Sequence, residues 1–343
     1  MTDNESAAPG DAPLVSPPVA PLVSIVMLAF NQRDMVGEAM ASLLAQDYPN
    51  FELIVSDDGS ADGTFEELQR IAAAYTGPHR VHANRTAVNR GTLGHLYEAV
   101  ALSSGRFVVV AGGDDISLPH RVSALYAAWA ESGADALFST CTVIDDAGDK
   151  VMDGMIYPDP TFQTYFPARP ALKIYGAMAA YDRRVFASVA LPDEPIFCED
   201  MFLSLMIHYA RGTILALHDR LILYRSHEAS FTNSDGSSIS AEKAELKAQR
   251  LARDHVTILN RFRTMVEVNR RRGIEDDVDL SAVRRMEDFY DYSVRWTDLG
   301  IARRVRRVAG FRSRLHWRWA VPRLFGLPAF VRLKALQRAV RGR

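Results

Sequence analysis

The sequence predicts an α/β fold in which helices flank a mostly parallel sheet, followed by a helical, basic C-terminal extension. Strand and helix patterns alternate from residue 21 to residue 130, which predicts the sheet. The first strand segment is a near-continuous apolar run, as in strands buried on both faces. The extension is predicted from charge, because residues 301–343 contain 12 Arg and 1 Lys but no Asp or Glu.

The elements of the first part follow one another in a regular order. Apolar runs predict strands at 22–30, 51–56, 80–84 and 106–112. Helical spacing predicts helices at 35–46, around 65–72, at 91–105 and after Pro119, with Ser117 as a candidate N-cap. A further strand at 136–140 and a hairpin turn at 144–151 come next. Because strands and helices alternate, we expect the first four strands to lie parallel.

The composition limits the classes of protein to be considered. Of the 343 residues, 48% are hydrophobic and 24% are charged, as in an ordinary globular protein. Cys141 and Cys198 lack metal-ligand spacing and indicate a reduced compartment. No apolar run approaches the ~20 residues that cross a bilayer. The acidic, Pro/Ala-rich residues 1–20 predict a disordered tail rather than a signal peptide, so we expect a cytoplasmic protein.

Acidic pairs follow two of the predicted strands. Asp57 and Asp58 come after the second strand, and Asp114 and Asp115 come after the fourth. The carboxyl ends of parallel strands share one edge of the sheet, where open α/β sheets bind ligands. Each pair alone is more often a turn or a helix cap. Four uncompensated carboxylates at one edge would favour a divalent cation, and with it phosphates, while the glycines at 112–113 would let a ligand approach the backbone.

The segment "VSIVMLAFNQRDMVGEAMASLLAQDYPNFELIVSDDGSADGT" (23–64) closely resembles the opening of family 2 glycosyltransferases, which have the GT-A fold. The resemblance continues through "SGRFVVVAGGDDISLP", which ends at Pro119, and resumes at "CEDMFLSLMIHYARG" (198–212) and "LILYRSHEASFT" (221–232). It therefore covers roughly residues 21–232. It implies a GT-A domain over 21–235, between the tail at 1–20 and a helical, basic region at 236–343.

The resemblance implies roles for the residues at the sheet edge. Asp58 would accept a hydrogen bond from the base of a nucleoside diphosphate, with Asp57 beside it. Asp114 would hold Mn²⁺ or Mg²⁺ on the diphosphate, and Asp115 would either assist or only cap the helix. The chain departs from the family pattern at Gly112, where the motif has its first Asp. Further candidates for nucleotide contact are Asn31, Asp57, Asn89, Gly112, Gly113 and Arg225, and His227 is a candidate metal ligand.

The pair Glu199–Asp200 opens a predicted helix. Acidic residues in a first turn usually compensate the helix dipole, and on its own the pair would be interpreted that way. In the family, the Asp of this Glu-Asp pair is the catalytic base. The resemblance therefore implies that Asp200 removes the acceptor proton, with Glu199 orienting the acceptor or stabilising the loop.

The basic C-terminal region admits three interpretations. Arginines mixed with Trp, Phe and Leu at 302–343 fit a helix lying on an anionic membrane surface. They also fit a helical cap that packs on the catalytic domain. RNA binding is the least favoured, and no nucleic acid partner is expected. The membrane interpretation would place the protein peripherally on the inner face of the cytoplasmic membrane.

Taken together, the sequence predicts an inverting glycosyltransferase of the hexosyltransferase type. It would move a sugar from a nucleotide-sugar, UDP-linked by analogy with relatives, to a hydroxyl of a glycan or lipid-linked acceptor in cell-envelope polysaccharide synthesis. The alternative is a catalytically silent GT-A domain that binds nucleotide-sugars or acts as a scaffold, which Gly112 would favour. An NAD oxidoreductase is excluded because the first strand is not followed by the G-x-G-x-x-G turn.

Overall fold

The computed structural model describes residues 20–154, 160–192, 195–226, 241–311, 316–317 and 320–324. The predicted tail at 1–19, His227, the predicted boundary at 235 and the residues after 324 lie outside these ranges. Across the described residues, no helix is both long enough and apolar enough to span a membrane.

The strands and helices of the first part match the sequence prediction closely, and the chain then continues with shorter elements and long C-terminal helices. The strands are β1 (Val23–Ala29), β2 (Phe51–Asp57), β3 (Arg80–Arg85), β4 (Phe107–Gly112), β5 (Ile116–Ser117), β6 (Ala136–Ile144), β7 (Lys150–Asp153), β8 (Ala179–Asp182) and β9 (Ile214–Arg225). The helices are α1 (Val36–Leu44), α2 (Thr64–Ala74), α3 (Gly91–Ala101), α4 (Arg121–Ser132), α5 (Pro160–Tyr165), α6 (Arg184–Ser188), α7 (Glu199–Tyr209), α8 (Ala241–Arg271), α9 (Leu280–Arg295) and α10 (Ile301–Ala309).

The strands form one sheet in the order β3-β2-β1-β4-β8-β6-β9-β5, with β7 paired to β6. The strands β1 to β4 are parallel, as predicted, so the ends of β1, β2 and β4 meet at one edge. Beyond β4 the sheet becomes mixed, since β8 pairs antiparallel with both β4 and β6. The predicted hairpin at 144–151 is confirmed as the antiparallel pair β6–β7. The fold class is confirmed, and the antiparallel pairings lie in the second half of the sheet.

Ser117 is not the N-cap of the fourth helix. It belongs to β5 and pairs with Ile222 of β9, whereas α4 begins later, at Arg121, after His120. The hydroxyl of Ser117 instead accepts a hydrogen bond from the Arg121 guanidinium at 2.9 Å. The prediction is wrong because a two-residue strand has no periodic signature and depends on a partner strand far along the chain.

Two apolar cores lie on opposite faces of the sheet, because alternate residues of β1, β2 and β4 point to opposite sides. The core on one face contains side chains of α1, α2 and α4. The core on the other face contains α3, α7 and also α8 and α9, through residues such as Ile258, Phe262 and Val283. The first two C-terminal helices therefore share a core with the sheet and with α3 and α7.

A third, smaller cluster attaches the start of the basic region to these helices. It contains Tyr292, Trp296, Val308 and Ala320. Beside it, the carboxylate of Glu245 on α8 accepts a hydrogen bond from Trp296 Nε1 at 2.7 Å and forms a 2.6 Å ion pair with Arg323. The described part of the basic region therefore packs intramolecularly, as the helical-cap interpretation expects.

Candidate active site

The loops after β1 and β2 are joined by hydrogen bonds at the edge of the sheet. Asn31 has a positive φ of 52°, a left-handed conformation that Asn tolerates better than most residues. Its amide donates to Ser60 Oγ at 2.7 Å, and its side-chain oxygen accepts from the Ala61 amide at 3.2 Å. Asn31 therefore helps to shape the loop, and its predicted contact with a nucleotide stays a prediction.

Asp57 is used inside this loop. Its side chain is fully buried, accepts hydrogen bonds from the amide and hydroxyl of Ser60, and lies 3.4 Å from Arg85 Nε. The expectation of four uncompensated carboxylates is therefore wrong for Asp57. The charge of this residue is already balanced by Arg85, and its predicted contact with a nucleotide stays a prediction.

Asp58 is buried, and its carboxylate is held through one of its two oxygens. Its Oδ1 accepts hydrogen bonds from the Arg90 amide at 2.8 Å and from the Thr86 hydroxyl at 3.0 Å. Burial raises the pKa of Asp58 above its ordinary value, although these hydrogen bonds oppose the effect. The carboxylate is thus fixed in orientation, as a hydrogen-bond acceptor for a ligand must be.

A cleft lined in part by Arg90, whose amide binds Asp58, has a volume of about 70 Å³ and is partly open to solvent. It lies between the start of α3 and the residues that precede α7, and it is lined by Asn89, Arg90, Leu93, Gly94, Leu191, Pro192, Pro195 and Ile196. Asn89, a predicted nucleotide contact, is therefore on its wall. Asn89 Oδ1 also accepts from the Gly91 amide at 3.1 Å, which fixes its side chain.

The glycines after β4 have different surroundings. A Cβ at Gly113 would lie 2.6 Å from Gln32 Oε1 and 2.9 Å from Ala29 Cβ, so this glycine permits close packing against β1 and α1. A Cβ at Gly112 would lie 2.8 Å from Asp114 Oδ1 and 2.9 Å from Asp115 Oδ2. The space beside Gly112 is therefore bordered by two carboxylate oxygens.

Asp115 is buried in a position that is unusual for a carboxylate. Its Oδ1 accepts from the Arg225 amide at 2.9 Å, while its Oδ2 is buried with no hydrogen-bond partner among the described residues. Burial, and then the charge of Asp114, raise the pKa of Asp115 well above its ordinary value. A buried carboxylate oxygen without a partner is costly, which indicates a site that a cation would complete.

These residues fit a divalent metal bound together with a diphosphate. Within the described residues, no group of three His, Cys, Asp or Glu side chains is close enough to hold a metal without other ligands. Two carboxylates with oxygens around one space are nevertheless the hard donors that Mg²⁺ and Mn²⁺ take, and Mg²⁺ is commonly bound by one or two carboxylates plus substrate phosphates. Asp114 and Asp115 would hold the ion, and the predicted third ligand, His227, lies outside the described residues.

Arg225 holds the loops around this acidic pair. Its side chain is buried, and its guanidinium donates to the carbonyl oxygens of Asp114, Asp145 and Asp146. It also forms a 2.6 Å ion pair with Glu38 on α1. The guanidinium is thus engaged with the protein, and its predicted contact with a diphosphate stays a prediction.

Arg121 lies between the acidic loop and the second half of the site, and sequence reasoning missed it. It is completely buried and donates to the carbonyl oxygens of Val110 at 2.6 Å and Ala177 at 2.9 Å. Burial lowers the pKa of Arg121 to about 10, while the nearby Asp115 opposes this effect. Its charge partly balances the acidic loop, and its bond to Ala177 ties that loop to the segment beside Glu199.

Glu199 and Asp200 open α7, as predicted. Glu199 is buried beside Gly176, where a Cβ would lie on top of its carboxylate. Burial, and then the charge of Asp200, raise the pKa of Glu199 to about 8. Asp200 Oδ2 forms a 2.9 Å ion pair with Lys173, and its Oδ1 accepts from the Met201 amide at 2.6 Å. At neutral pH the pair therefore combines a mostly protonated carboxyl with an ion-paired carboxylate.

The segment before α7 is held by a residue of the C-terminal region. The carboxylate of Asp254 on α8 accepts hydrogen bonds from the amides of Phe197 and Cys198, the latter at 2.6 Å. It thereby satisfies donors at the start of α7 that the helix itself leaves without partners. The sequence carries no signal for this contact, because Asp254 is one of several acidic residues in a long, charged amphipathic helix.

A family model matches residues 24–189 of the chain and is described as glycosyl transferase family 2. Putative glycosyltransferase EpsE of Bacillus subtilis is 33% identical over 102 residues, which are 30% of this chain and 36% of that protein. Putative colanic acid biosynthesis glycosyl transferase WcaA of Escherichia coli is 29% identical over 166 residues, 48% of this chain and 52% of that protein. The chain thus spans about half, or less, of the length of these relatives.

A third relative is named for its reaction. The Escherichia coli protein WfaP, UDP-Glc:alpha-D-GlcNAc-diphosphoundecaprenol beta-1,3-glucosyltransferase, is 28% identical over 102 residues, 30% of this chain and 39% of that protein. Its name states a UDP-sugar donor and a lipid-linked acceptor for that protein.

Two solved structures share the fold. The mannosyltransferase PcManGT from Pyrobaculum calidifontis, in complex with GDP-Man and Mn²⁺, aligns with a TM-score of 0.54 at 15% identity, over 93% of this chain and 79% of that chain. Staphylococcus aureus TarS 1–349, in complex with UDP-GlcNAc, aligns with a TM-score of 0.50 at 16% identity, over 88% and 80%. At such identities the likeness shows the fold, which is GT-A. With the family match and the acidic motifs at the carboxyl edge of the sheet, residues 24–189 are identified as a glycosyltransferase family 2 domain.

Proposed function

We propose that the protein is a glycosyltransferase that moves a sugar from a nucleotide-sugar to a hydroxyl of a glycan or lipid-linked acceptor in cell-envelope polysaccharide synthesis. The observation that carries the proposal is the space beside Gly112, bordered by oxygens of Asp114 and Asp115 at the carboxyl end of β4. Asp58 and its cleft lie at the neighbouring loops, and the Glu199–Asp200 pair is tied to the same region through Arg121 and Ala177.

The donor would bind across this edge of the sheet. Asp58, oriented by Arg90 and Thr86, would accept a hydrogen bond from the nucleoside base, and Asn89 would line the adjoining wall. Asp114 and Asp115 would hold the Mn²⁺ or Mg²⁺ ion, which neutralises the charge that builds on the departing diphosphate. A UDP-sugar is the donor class that the name of the relative WfaP supports.

Asp200 would act as the general base. In an inverting transfer, the acceptor oxygen attacks the anomeric carbon while the bond from that carbon to the diphosphate oxygen breaks, and the diphosphate leaves with the electron pair. The proton of the acceptor hydroxyl passes to the Asp200 carboxylate and later to solvent. General-base assistance of this kind is typically worth ~10²–10⁴-fold. Glu199, protonated at neutral pH, would donate a hydrogen bond that orients the acceptor or the loop.

A catalytically silent domain remains the alternative that Gly112 favours. A catalytically silent domain would need neither a general base nor a cation site. The buried Asp115 Oδ2, which has no hydrogen-bond partner among the described residues, supports the enzyme, because such an oxygen is costly unless a cation completes the site.

The outer face of α10 supports an anionic membrane as a further partner, at the inner face of the cytoplasmic membrane. Ile301 and Val305 are 58% and 51% exposed on successive turns, and Arg303 and Arg306 are exposed elsewhere on the same helix. Each basic residue near an anionic surface contributes ~1 kcal/mol. Replacing both apolar residues, as Ile301→Gln with Val305→Gln, should release the protein from phosphatidylglycerol vesicles in a flotation assay. Equal flotation of variant and wild type would remove this face as the contact.

A thermal-shift experiment tests the proposed function. UDP, GDP, UDP-glucose and UDP-GlcNAc are each added with Mn²⁺ or Mg²⁺ to wild type, to Asp114→Asn and to Asp34→Asn. Asp34 is an exposed carboxylate at the same edge and serves as the matched control. A ligand at 100 times its Kd stabilises the native state by about 2.7 kcal/mol. We expect a metal-dependent shift in wild type and Asp34→Asn that Asp114→Asn lacks. Absence of a shift with every nucleotide would contradict the proposal.

A further inference from the structure

The segment before the 3₁₀ turn at Gly176–Met178 runs along one face of α7. His208 Nε2 contacts the backbone of Leu172, 2.9 Å from its carbonyl oxygen and 3.1 Å from its amide, and the Ile174 amide donates to Ser204 Oγ at 2.9 Å. Between these two anchors, Lys173 Nζ reaches Asp200 Oδ2 at 2.9 Å. Because residues four apart share a helix face, Asp200, Ser204 and His208 form one row that receives consecutive residues of the segment. The position of Lys173 is therefore set by its neighbours as well as by the ion pair.

Contacts of the Lys173 side chain hold it in place in addition to the backbone anchors on either side. Its ammonium lies 5.2 Å from the centroid of the Tyr175 ring, within cation–π range. The side chains of Lys173 and Asp200 are only 20% and 18% exposed, so water screens the pair weakly. Burial alone would lower the pKa of Lys173, but the Asp200 carboxylate outweighs it and raises that pKa. Lys173 therefore stays charged throughout the range in which enzymes are assayed.

Most of the other titratable groups around this pair are neutral near pH 7. Burial raises the pKa of Cys198 and of Tyr181 and lowers the pKa of His255, so none of these three carries a charge there. Glu199 is mostly protonated for the reason given above. The remaining groups are Asp254, which holds the amides before α7, Tyr175, which faces Lys173, and Arg250, which stacks on Phe197 with 4.8 Å to the ring centroid.

From this geometry we infer that Lys173 is a positioning residue for the catalytic base, holding the Asp200 carboxylate ionised and directed for proton transfer. The inference rests on the proposed function, in which Asp200 is the base. Without the ammonium, Asp200 would face Glu199 and Asp254 with no cation at its Oδ2. A carboxylate in such surroundings takes up a proton at higher pH, and a protonated carboxyl cannot accept another from the acceptor hydroxyl.

The test compares pH–rate profiles of Lys173→Met, Lys173→Arg and wild type, with Lys150→Met as control. Lys150 forms an ion pair with Asp153 on the surface, where its side chain is 59% exposed. The donor is whichever nucleotide-sugar gives the thermal shift, and the acceptor is a short-chain GlcNAc-diphospho-lipid, with donor hydrolysis as a second readout. We expect Lys173→Met to lower kcat by about 10-fold or more and to move the acid limb of kcat/KM up by about 1–3 pH units. Donor KM should stay within about twofold.

Lys173→Arg keeps the charge and should leave the acid limb in place, which makes the inference testable even if Lys173→Met folds poorly. An unmoved acid limb in Lys173→Met, or a moved limb in Lys173→Arg, would overturn the inference. Asp200→Asn, run beside them, separates the two levels. If Asp200→Asn transfers normally, the proposed base is wrong and Lys173 loses its role with it. If Asp200→Asn is inactive and the limb does not move in Lys173→Met, only the inference on Lys173 fails.

Discussion

Replacing Glu245 with Ala should release the first part of the basic region from the helices that carry it. Glu245 is 3% exposed and accepts hydrogen bonds from Trp296 Nε1 and from the guanidinium of Arg323, which is 5% exposed. Removing one partner of a buried ion pair typically costs about 3–5 kcal/mol, because the remaining charge keeps its desolvation penalty. At about 1.4 kcal/mol per factor of ten, the undocked population should increase by about 10²-fold or more.

Native-state proteolysis with trypsin measures that population, because cleavage of a transiently opened segment follows the fraction that is open. Mass spectrometry would follow cleavage within residues 303–307 in Glu245→Ala, in wild type and in Glu242→Ala, which removes an exposed carboxylate from the first turn of the same helix. We expect the first variant alone to be cut faster. Adding Arg323→Met should restore part of the protection, since no buried guanidinium is then left without its carboxylate.

Cleavage of Glu245→Ala within about threefold of wild type would refute this reasoning.

The same contacts change how membrane binding should be tested. A chain ending near Asp298 would lose Val308, Ala320 and Arg323, which pack on Trp296 and Glu245, so we expect truncation to destabilise the helices rather than leave them folded. Substitutions on the exposed face of α10 avoid this problem.

Three further predictions concern the site and its supports. The pKa of Glu199 is raised from 4.5 to about 8, so its contribution to stability is present below pH 4.5 and is lost as pH rises to about 8. In urea unfolding, the free energy of unfolding of Glu199→Gln should therefore increase relative to that of wild type from pH 5 to pH 8. The same difference in free energy between variant and wild type at both pH values would contradict this. Gly113→Ala should cost about 1–3 kcal/mol through overpacking in the same assay, whereas Gly300→Ala, with nothing within 4 Å of its Cβ, should cost little, and equal costs would show that the packing argument is wrong. Asp254→Ala should lower kcat with little change in nucleotide affinity, since it frees the amides before α7, and unchanged kcat would assign Asp254 to stability alone.

The first half of the fold could be predicted because its signals are local. The strand β1 is a continuous apolar run, α1 has a clear helical period, and the acidic pairs follow β2 and β4 directly in the chain. Because alternating strands and helices predict a parallel sheet, the carboxyl edge and the positions of Asp58 and Asp114 follow from topology alone. The identification of α7 as the start of the acceptor side depended on the resemblance, since an acidic first turn is common to many helices.

The partners of these residues could not be predicted, because each comes from a distant part of the chain. Lys173 and Asp200 are 27 residues apart, Asp254 reaches an amide 56 residues away, and Glu245 meets Arg323 across 78 residues. Such contacts depend on how α8 and the segment before β8 pack on α7, and neither packing leaves a periodic pattern in the sequence. The compensation of the Asp57 charge could not be predicted for the same reason, since its partner, Arg85, is on another strand.

The central claim is that the acidic groups of this site perform a sugar transfer, and the Glu199–Asp200 pair tests it most directly. Single-turnover transfer, from the donor that stabilises the protein to a GlcNAc-diphospho-lipid, is measured beside nucleotide affinity for wild type, Asp200→Asn and Glu199→Gln. We expect Asp200→Asn to bind nucleotide normally and to lose transfer by ~10²–10⁴-fold, while Glu199→Gln loses less. Near-normal transfer by Asp200→Asn with an inactive Glu199→Gln would move the base to Glu199. Near-normal transfer by both variants would contradict the account.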